Sequence, residues 1–319
     1  MEKYKLTILL ICLSTFLFSQ ESIEVELIKK YKENFSIRTF SYSKNHYFAR
    51  LSYNNQTIYL ENLLNPQKRT LIFSRKNGGI KSMDFDSNEH FLATASYSGD
   101  VDIWDINNRN LLKTIKLHVD DVNKVKFVPN TTLLISVGHD GKIMLMDIKD
   151  EFCKPTLLGS HNDIIRSFDI TLDGKYAVTI GNDNKVIVWN INKREKRKEI
   201  RIKANNLSSI KILDDKIVVG DIDGNILFLN LKDLSFINSI KIHDNIISSI
   251  SKVSKNRILT SSYDGTLKIV EIDSNTSSSI KVKSKSYILH STLLDSKITF
   301  SDRKGNLKIF KLLNYDTKK

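Results

Sequence analysis

Histidine and aspartate are the side chains of this 319-residue sequence that could carry acid–base or metal chemistry. Of its seven histidines, three precede apolar runs (His118, His161 and His243), and His139 stands beside Asp140. Because a fold can bring distant His and Asp residues together, a hydrolytic site acting on a small molecule through His139 or Asp140 stays an alternative. No segment, however, matches a phosphate loop, a dinucleotide fingerprint, a His-Glu-x-x-His zinc helix or a Gly-x-Ser-x-Gly elbow. The sequence therefore predicts a protein that is not an enzyme and holds neither cofactor nor metal.

The composition is that of a globular protein with a basic surface. Apolar residues make up 40% and charged residues 27%, which is enough hydrophobic material for a sizeable core. Basic residues outnumber acidic ones by 49 to 36, and most are lysines on alternate positions of predicted strands, a pattern typical of a solvated surface. The densest basic run, 193–203, could anchor the protein to an anionic envelope surface, which is a second alternative. It contains no aromatic residue for base stacking, so we expect no nucleic-acid binding.

The first residues are typical of a secretory signal. Lys3 and Lys5 precede an apolar stretch at 6–18 that is too short to span a membrane, which takes about 20 residues. We therefore predict a signal peptide at 1–19 and a mature chain without a transmembrane segment. The protein is expected to be exported, to a periplasmic or extracellular location.

Cysteine usage adds two constraints. A lipid anchor on Cys12 is disfavoured because Ile11 precedes it where a small residue is expected. If the signal peptide is removed, Cys153 is the one remaining cysteine, so no intrachain disulfide can form. Stability must then come from packing.

One phrase recurs along the chain: an apolar strand, a tight turn rich in Gly, Asn and Asp, and a second apolar strand. Such turns need residues for which a positive φ costs little, so each phrase predicts a β-hairpin. A period of roughly forty residues is typical of four-stranded propeller blades. The seven turn phrases lie at 52–56, 96–100, 138–142, 181–185, 221–225, 262–266 and 302–306.

These phrases divide residues 20–319 into seven units of one domain. The last unit ends before a fourth strand, and an open ring would leave a strand edge unpaired. The alternating segment 23–31 can supply that strand. We therefore predict an all-β, seven-bladed β-propeller of four-stranded antiparallel blades, closed by the N-terminal strand in the last blade. The units span roughly 35–75, 79–118, 121–160, 163–203, 206–243, 246–284 and 286–313.

The chain resembles the WD-repeat propeller family, as a divergent member. The resemblance lies in Trp104-Asp105, Met146-Asp147 and Trp189-Asn190 at strand ends, and in the three histidines ahead of apolar runs. It implies a structural tetrad of His, Ser or Thr, turn Asp and Trp within a blade. The fourth unit supplies all four members: His161, Thr179, Asp183 and Trp189. The third supplies His118, Ser136 and Asp140 with Met146 in the Trp position, and the sixth His243, Thr260 and Asp264 with Val270.

The resemblance also implies that the face bearing the turns between second and third strands binds the ligand. Tyr, His and Arg are enriched at binding hot spots, and several occur at this rim. The sequence thus predicts a non-catalytic, monomeric scaffold that binds a protein or peptide there. The rim residues are Tyr53, Tyr97, His139, Asn182, Ile222, Tyr263 and Arg303.

Overall fold

The computed structural model describes residues 23–52, 55–65, 71–75, 78–150, 154–203 and 206–313. The predicted signal peptide, Tyr53 and Cys153 lie outside these residues. The described chain forms twenty-eight strands in seven four-stranded antiparallel sheets, which are the blades of a closed propeller, as predicted. Within this described part, no helix has the length and apolar character that crossing a membrane would require.

The first strand, β1 (Val25–Lys32), belongs to the last blade. The other strands follow the chain from the innermost to the outermost position of each blade. Blade 1 contains β2 (Phe40–Tyr42), β3 (Tyr47–Ser52), β4 (Thr57–Asn62) and β5 (Leu71–Ser74). Blade 2 contains β6 (Ile80–Phe85), β7 (Phe91–Ser96), β8 (Asp100–Asp105) and β9 (Asn110–Lys116). Blade 3 contains β10 (Val122–Phe127), β11 (Leu133–Gly138), β12 (Lys142–Asp147) and β13 (Thr156–Ser160).

The remaining blades repeat this order. Blade 4 contains β14 (Ile165–Ile170), β15 (Tyr176–Gly181), β16 (Lys185–Asn190) and β17 (Glu195–Arg201). Blade 5 contains β18 (Leu207–Leu213), β19 (Lys216–Asp221), β20 (Asn225–Asn230) and β21 (Phe236–Lys241). Blade 6 contains β22 (Ile247–Ser254), β23 (Arg257–Ser262), β24 (Thr266–Glu271) and β25 (Thr276–Lys283). Blade 7 contains β26 (Ile288–Leu294), β27 (Lys297–Asp302) and β28 (Asn306–Leu312), and β1 completes it.

The tight turns between second and third strands have the backbone that their residues favour. Gly99 has φ 79° and the corresponding Asn184 has φ 58°, both in the left-handed region. A Cβ atom on Gly99 would lie 2.3 Å from the carbonyl oxygen of His118, so this position needs glycine for space as well.

The core lies between the blades, where the apolar faces of neighbouring sheets pack together. Trp189 of blade 4 packs in one buried cluster with Ile143 and Leu158 of blade 3. A Cβ atom on Gly159 would lie 2.1 Å from Cζ3 of Trp189, so the indole ring fits only against a glycine. The alternating apolar residues of each strand thus fix how adjacent blades pack.

The ring closes through its own first strand. β1 pairs antiparallel with β28, from Val25 opposite Leu312 to Lys32 opposite Asn306. The closing strand therefore takes the predicted place, one to two residues further along the chain than the segment 23–31. Just before it, the amide of Ile23 donates to the carbonyl oxygen of Ser279 in blade 6 at 2.9 Å.

A polar cluster also ties β1 to blade 1. The Tyr31 hydroxyl donates to Oε2 of Glu61 at 2.7 Å, and Lys29 Nζ lies 3.0 Å from the same oxygen. Arg50 Nε donates to Oε1 of Glu61 at 3.0 Å and places its guanidinium 4.2 Å from the centre of the Tyr31 ring. Blade 7 and blade 1 are thereby joined through one carboxylate.

Candidate interaction site at the mouth of the central channel

The predicted rim residues share one backbone contact. In blades 2 to 7 the amide of the rim residue donates to the carbonyl oxygen of the residue just before the inner strand, as Tyr97 does to Gly79 at 3.0 Å and His139 to Asp121 at 2.9 Å. This contact places the rim residues beside the ends of the channel-lining strands, at the mouth of the channel. The same contact is made by Asn182, Ile222, Tyr263 and Arg303.

A second set of side chains at this mouth was not predicted. In blades 2 to 7 the pairing register of the inner strand shifts after its first residue, so one residue is left out of the ladder. Such β-bulges re-aim a side chain away from the sheet. The feature that these residues share in the sequence is their position, directly after the first apolar residue of each inner strand. The residues left out are Lys81, Asn123, Arg166, Ser208, Ser248 and Leu289.

Lys81 contacts several residues on one side of the mouth, including the rim residues Tyr97 and His139. Its Nζ lies 3.0 Å from Oδ2 of Asp121, donates to Oδ1 of Asn123 at 2.7 Å and lies 3.4 Å from Nε2 of His139. It also lies 4.9 Å from the centre of the Tyr97 ring. Burial lowers the pKa of Lys81, while the hydrogen bond to Asp121 opposes that fall. Blades 2 and 3 are thus linked at the mouth by a partly desolvated cation.

Asp120, Asp121 and His139 could each offer a ligand atom to a metal ion, since these atoms lie within 4.8 Å of one another. The ammonium group of Lys81 already neutralises Asp121. Burial lowers the pKa of His139, and the charge of Lys81 lowers it further. The arrangement is explained by this ion pair, and we assign no metal to it.

Three exposed arginines surround the mouth without an acidic partner. Arg166 Nε donates to Oδ1 of Asn182 at 2.6 Å, and the guanidinium of Arg38 lies 6.0 Å from the Tyr97 ring centre. Arg303 lies 5.5 Å from the ring centre of Tyr287. Among the described residues, none of the three arginines has a carboxylate within 4.0 Å. The planar guanidinium fork is suited to bind carboxylate or phosphate groups of another molecule.

The opposite side of the mouth holds a cavity of about 230 Å³ with a mixed lining. Ile222, Ile246, Tyr263 and Leu289 contribute apolar surface, and Arg166, Asn206, Ser208 and Ser248 contribute polar groups. The rings of Tyr263 and Tyr287 stack at 5.0 Å between centres and 4° between planes. The structure therefore brings the rim residues together in two groups, one basic and one aromatic, with Arg166 between them.

The predicted tetrad residues of blade 4 form a continuous hydrogen-bond chain. Trp189 Nε1 donates to Oγ1 of Thr179 at 2.8 Å, which lies 2.7 Å from Nε2 of His161. Nδ1 of the same histidine lies 2.9 Å from Oδ1 of Asp183. Burial lowers the pKa of His161 although Asp183 opposes the fall. The imidazole is therefore neutral at pH 7, donating to Asp183 and accepting from Thr179.

Blades 3 and 6 form the same chain without the indole. His118 lies 2.8 Å from both Ser136 Oγ and Asp140 Oδ1. In blade 6, His243 is 3.0 Å from Thr260 Oγ1 and 2.8 Å from Asp264 Oδ2. These histidines have both ring nitrogens engaged, so they lack a free nitrogen for metal or base chemistry.

Replacing Thr179 by Val should lower the free energy of unfolding by about 2–4 kcal/mol, because it leaves a buried indole N–H and a ring nitrogen unpaired. Urea unfolding of the purified protein measures this. The matched change Thr260→Val removes the hydroxyl beside His243 in a blade without tryptophan, and should cost only about 1–2 kcal/mol. Equal losses of stability in the two variants would show that the hydrogen bond from Trp189 to Thr179 contributes nothing to stability.

Blades 2, 5 and 7 carry other polar networks in place of the histidine network, and the sequence analysis did not predict them. In blade 2, Trp104 donates to Thr94, and buried Arg75 takes the place of histidine, with Asp102 at 2.5 Å and Asp100 at 2.8 Å. In blades 5 and 7 an aspartate at the start of the turn binds the asparagine four residues later. The repeated Asp-x-x-Gly-Asn at 221–225 and 302–306 was the signal.

The basic run lies far out on blade 4, largely on β17. Two glutamates, Glu195 and Glu199, interrupt its lysines and arginines, and Glu199 binds Lys196 at 2.8 Å and Lys185 at 3.0 Å. Arg197 lies 4.7 Å from the ring centre of Tyr176. Part of the positive charge is therefore compensated locally.

Comparison with known proteins gives one recurrent match. The family model described as "WD domain, G-beta repeat" matches residues 67–105, 109–147, 152–190 and 234–271. A chain of the crystal structure of a mitotic checkpoint complex aligns with TM-score 0.81 over 99% of this chain and 100% of that one. At 17% identity, it shows likeness of fold.

Similar curated proteins match over part of the chain. WD repeat and SOCS box-containing protein 1 of Takifugu rubripes is 29% identical over 34% of this chain and 26% of its own length. Protein transport protein SEC31 of Yarrowia lipolytica is 26% identical over 56% of this chain and 16% of its own length. Autophagy-related protein 16 of Arabidopsis thaliana is 22% identical over 59% and 37%. The chain thus spans well under two thirds of these relatives.

Proposed function

Since this chain is a WD-repeat β-propeller, we propose that it is an exported, non-catalytic scaffold that binds a protein or peptide at the mouth of its channel. The observation that carries this proposal is a set of three exposed arginines beside a cavity and a tyrosine stack. None of the three has a carboxylate of the described residues within 4.0 Å. Export rests on the signal-like segment 1–19. The names of similar proteins, a transport protein and a component of a checkpoint complex among them, agree with a scaffold role.

The size of this cavity favours a peptide side chain over a whole small molecule. At about 230 Å³ it is smaller than ligand pockets, which measure about 300–1,000 Å³. Aromatic and arginine side chains near it are the types that dominate protein-binding hot spots. The partner that fits carries an apolar side chain for the cavity and carboxylates for Arg38, Arg166 and Arg303.

An enzymatic role for His139 and Asp140 is not part of this proposal. Asp140 accepts a hydrogen bond from His118, and His139 lies against the Lys81 ammonium group. His139 and Asp140 do not form with each other the hydrogen bond that joins a catalytic base to the acid that orients it.

The proposed site is tested by replacing Arg166, Tyr263 and Arg303 together with alanine. A partner is first captured with the wild-type chain and identified, and its Kd for each purified variant is then measured by biolayer interferometry. Losing three hot-spot side chains should weaken binding by roughly 100-fold or more. Circular dichroism checks that each variant is folded.

The matched control removes the same residue types elsewhere: Tyr176, Arg197 and Arg201, on and beside the basic run. This variant should bind within about threefold of wild type. If instead the control loses the partner and the first variant keeps it, the basic edge is the binding surface and the mouth is not.

A further inference from the structure

A cavity of about 450 Å³ lies deeper in the channel, and charged side chains from several inner strands line it. Part of this charge is compensated. Lys126 Nζ lies 2.5 Å from Oδ1 of Asp169, and Lys211 Nζ lies 2.9 Å from Oδ2. One carboxylate therefore balances two lysines, which leaves an excess of positive charge in the channel.

Lys124 adds to that excess. Its Nζ donates to Ser167 Oγ at 3.0 Å, and no described carboxylate lies within 4.0 Å of it. Burial lowers the pKa of Lys124 to about 7, and the charge of Lys126 lowers it further. The charges of Asp169 and Asp84 oppose this fall in the pKa, but neither carboxylate contacts the ammonium group. At pH 7 the side chain is therefore partly protonated and desolvated, without a described carboxylate in direct contact.

His290 lines the same cavity from blade 7. Its ring packs edge-on against Phe40 at 4.8 Å between centres, and no described residue hydrogen-bonds its nitrogens. Burial lowers the pKa of His290 to about 4, and the charge of Lys124 lowers it further. Both side chains line the same cavity. At pH 7 the neutral ring has one N–H to donate.

Asp84 is the other carboxylate lining this cavity. It accepts the amide of Phe127 at 2.9 Å, and burial raises its pKa to about 6. Above about pH 6 its charge opposes part of the positive potential, but Asp84 and Asp169 together face three lysines, Lys124, Lys126 and Lys211.

We propose that the channel binds a small phosphate-type oxyanion between Lys124 and His290. The oxyanion compensates the excess positive charge, the ammonium group acts as a point charge toward it, and the imidazole N–H donates to a second oxygen. The cavity volume leaves room for a small phosphate ester as well as inorganic phosphate. The site uses none of the rim residues, so it stands independently of the proposed scaffold function.

Isothermal titration calorimetry with inorganic phosphate tests this site. The wild-type chain should bind phosphate saturably, and Lys124→Met should bind it at least about tenfold more weakly. Lys175→Met removes the same charge from the exposed surface and should bind as wild type does. Glycerol phosphate as a second probe distinguishes the sources, because tenfold tighter binding than phosphate identifies an ester as ligand.

A second experiment measures the affinity for sulfate as a function of pH, because the charge of sulfate is constant between pH 6 and 8.5. Its affinity should fall as pH rises through about 7, where Lys124 loses its proton. Ionisation of Asp84 above about pH 6 acts in the same direction, whereas Lys126, Asp169 and His290 keep their charge states. In Lys124→Arg, which stays charged, only the smaller part due to Asp84 should remain.

Two results would overturn the proposal. One is the absence of saturable binding by the wild-type chain with either probe. The other is phosphate affinity in Lys124→Met equal to that of wild type. If Lys124→Met does not fold, the sulfate pH profile of Lys124→Arg decides, and a profile identical to wild type refutes the site.

Discussion

Asp169→Asn should lower the free energy of unfolding by about 2–4 kcal/mol. The carboxylate is buried, accepts the amide of Ile212 at 3.0 Å and balances Lys126 and Lys211. The asparagine side chain can still accept the hydrogen bond from this amide. The loss of stability therefore measures the cost of leaving Lys126 and Lys211 without their counter-charge. We expect a loss smaller than the full cost of breaking a buried ion pair, because both lysine side chains remain partly exposed in the channel. Denaturant unfolding at pH 7 measures the difference.

The same residue predicts how this difference changes with pH. Burial alone would raise the pKa of Asp169, but the nearby lysines outweigh it and hold the pKa far below its ordinary value. Such a group stabilises the fold above its unfolded pKa of about 4, and the stabilisation is lost as pH falls below that value. The gap between wild type and Asp169→Asn should therefore be constant from pH 7 to 5 and shrink below pH 4.

Asp84→Asn is the matched control on the inner strand β6, two blades away from Asp169 on β14. Burial raises the pKa of Asp84 to about 6, so the fold disfavours its charge at pH 7. Neutralising it should change stability by less than about 1 kcal/mol, or increase it. A loss in Asp84→Asn as large as in Asp169→Asn would show that the loss is not specific to the ion pairs of Asp169 with Lys126 and Lys211.

The architecture could be predicted because the information for it is local. Each hairpin needs a residue with positive φ, and Gly99 and Asn184 stand where the repeated phrase predicts them. The apolar alternation of the strands then fixes which faces pack. The shortage of one strand in the last unit predicted that β1 would close the ring, and it does.

The chemistry of the channel could not be predicted in the same way. Lys124 and Lys126 occupy alternate positions of β10, a pattern that we interpreted as a solvated outer surface, and both line the channel. Which face of an inner strand meets the channel depends on the bulge after its first residue, and a bulge leaves no mark on period-2 alternation.

The polar networks show the same limit. His161 and its partners could be placed by resemblance, whereas the blade 2 network around Arg75 has no such pattern. An arginine there needs two acids, Asp100 and Asp102, where histidine needs one. The pairing depends on side-chain reach, which spacing in the sequence does not express.

Deleting residues 23–32 should abolish cooperative unfolding. The deletion removes a whole strand, exposes the backbone edge of β28 and leaves Glu61 without Lys29 and Tyr31. The net stability of a domain is only about 5–15 kcal/mol, and loss of a blade strand is comparable with it. Differential scanning calorimetry should show no sharp transition, and an apolar dye should bind the deleted chain strongly.

A synthetic peptide of residues 23–33, added to the deleted chain, tests whether closure is the cause. It should restore the transition in a concentration-dependent way, because the strand adds to the edge of β28 whether or not it is covalently attached. A peptide with Tyr31→Phe lacks the hydroxyl that reaches Glu61 and should restore it at higher concentration. If the deleted chain already unfolds cooperatively at the wild-type temperature, the ring is held by its blade interfaces alone and β1 is dispensable.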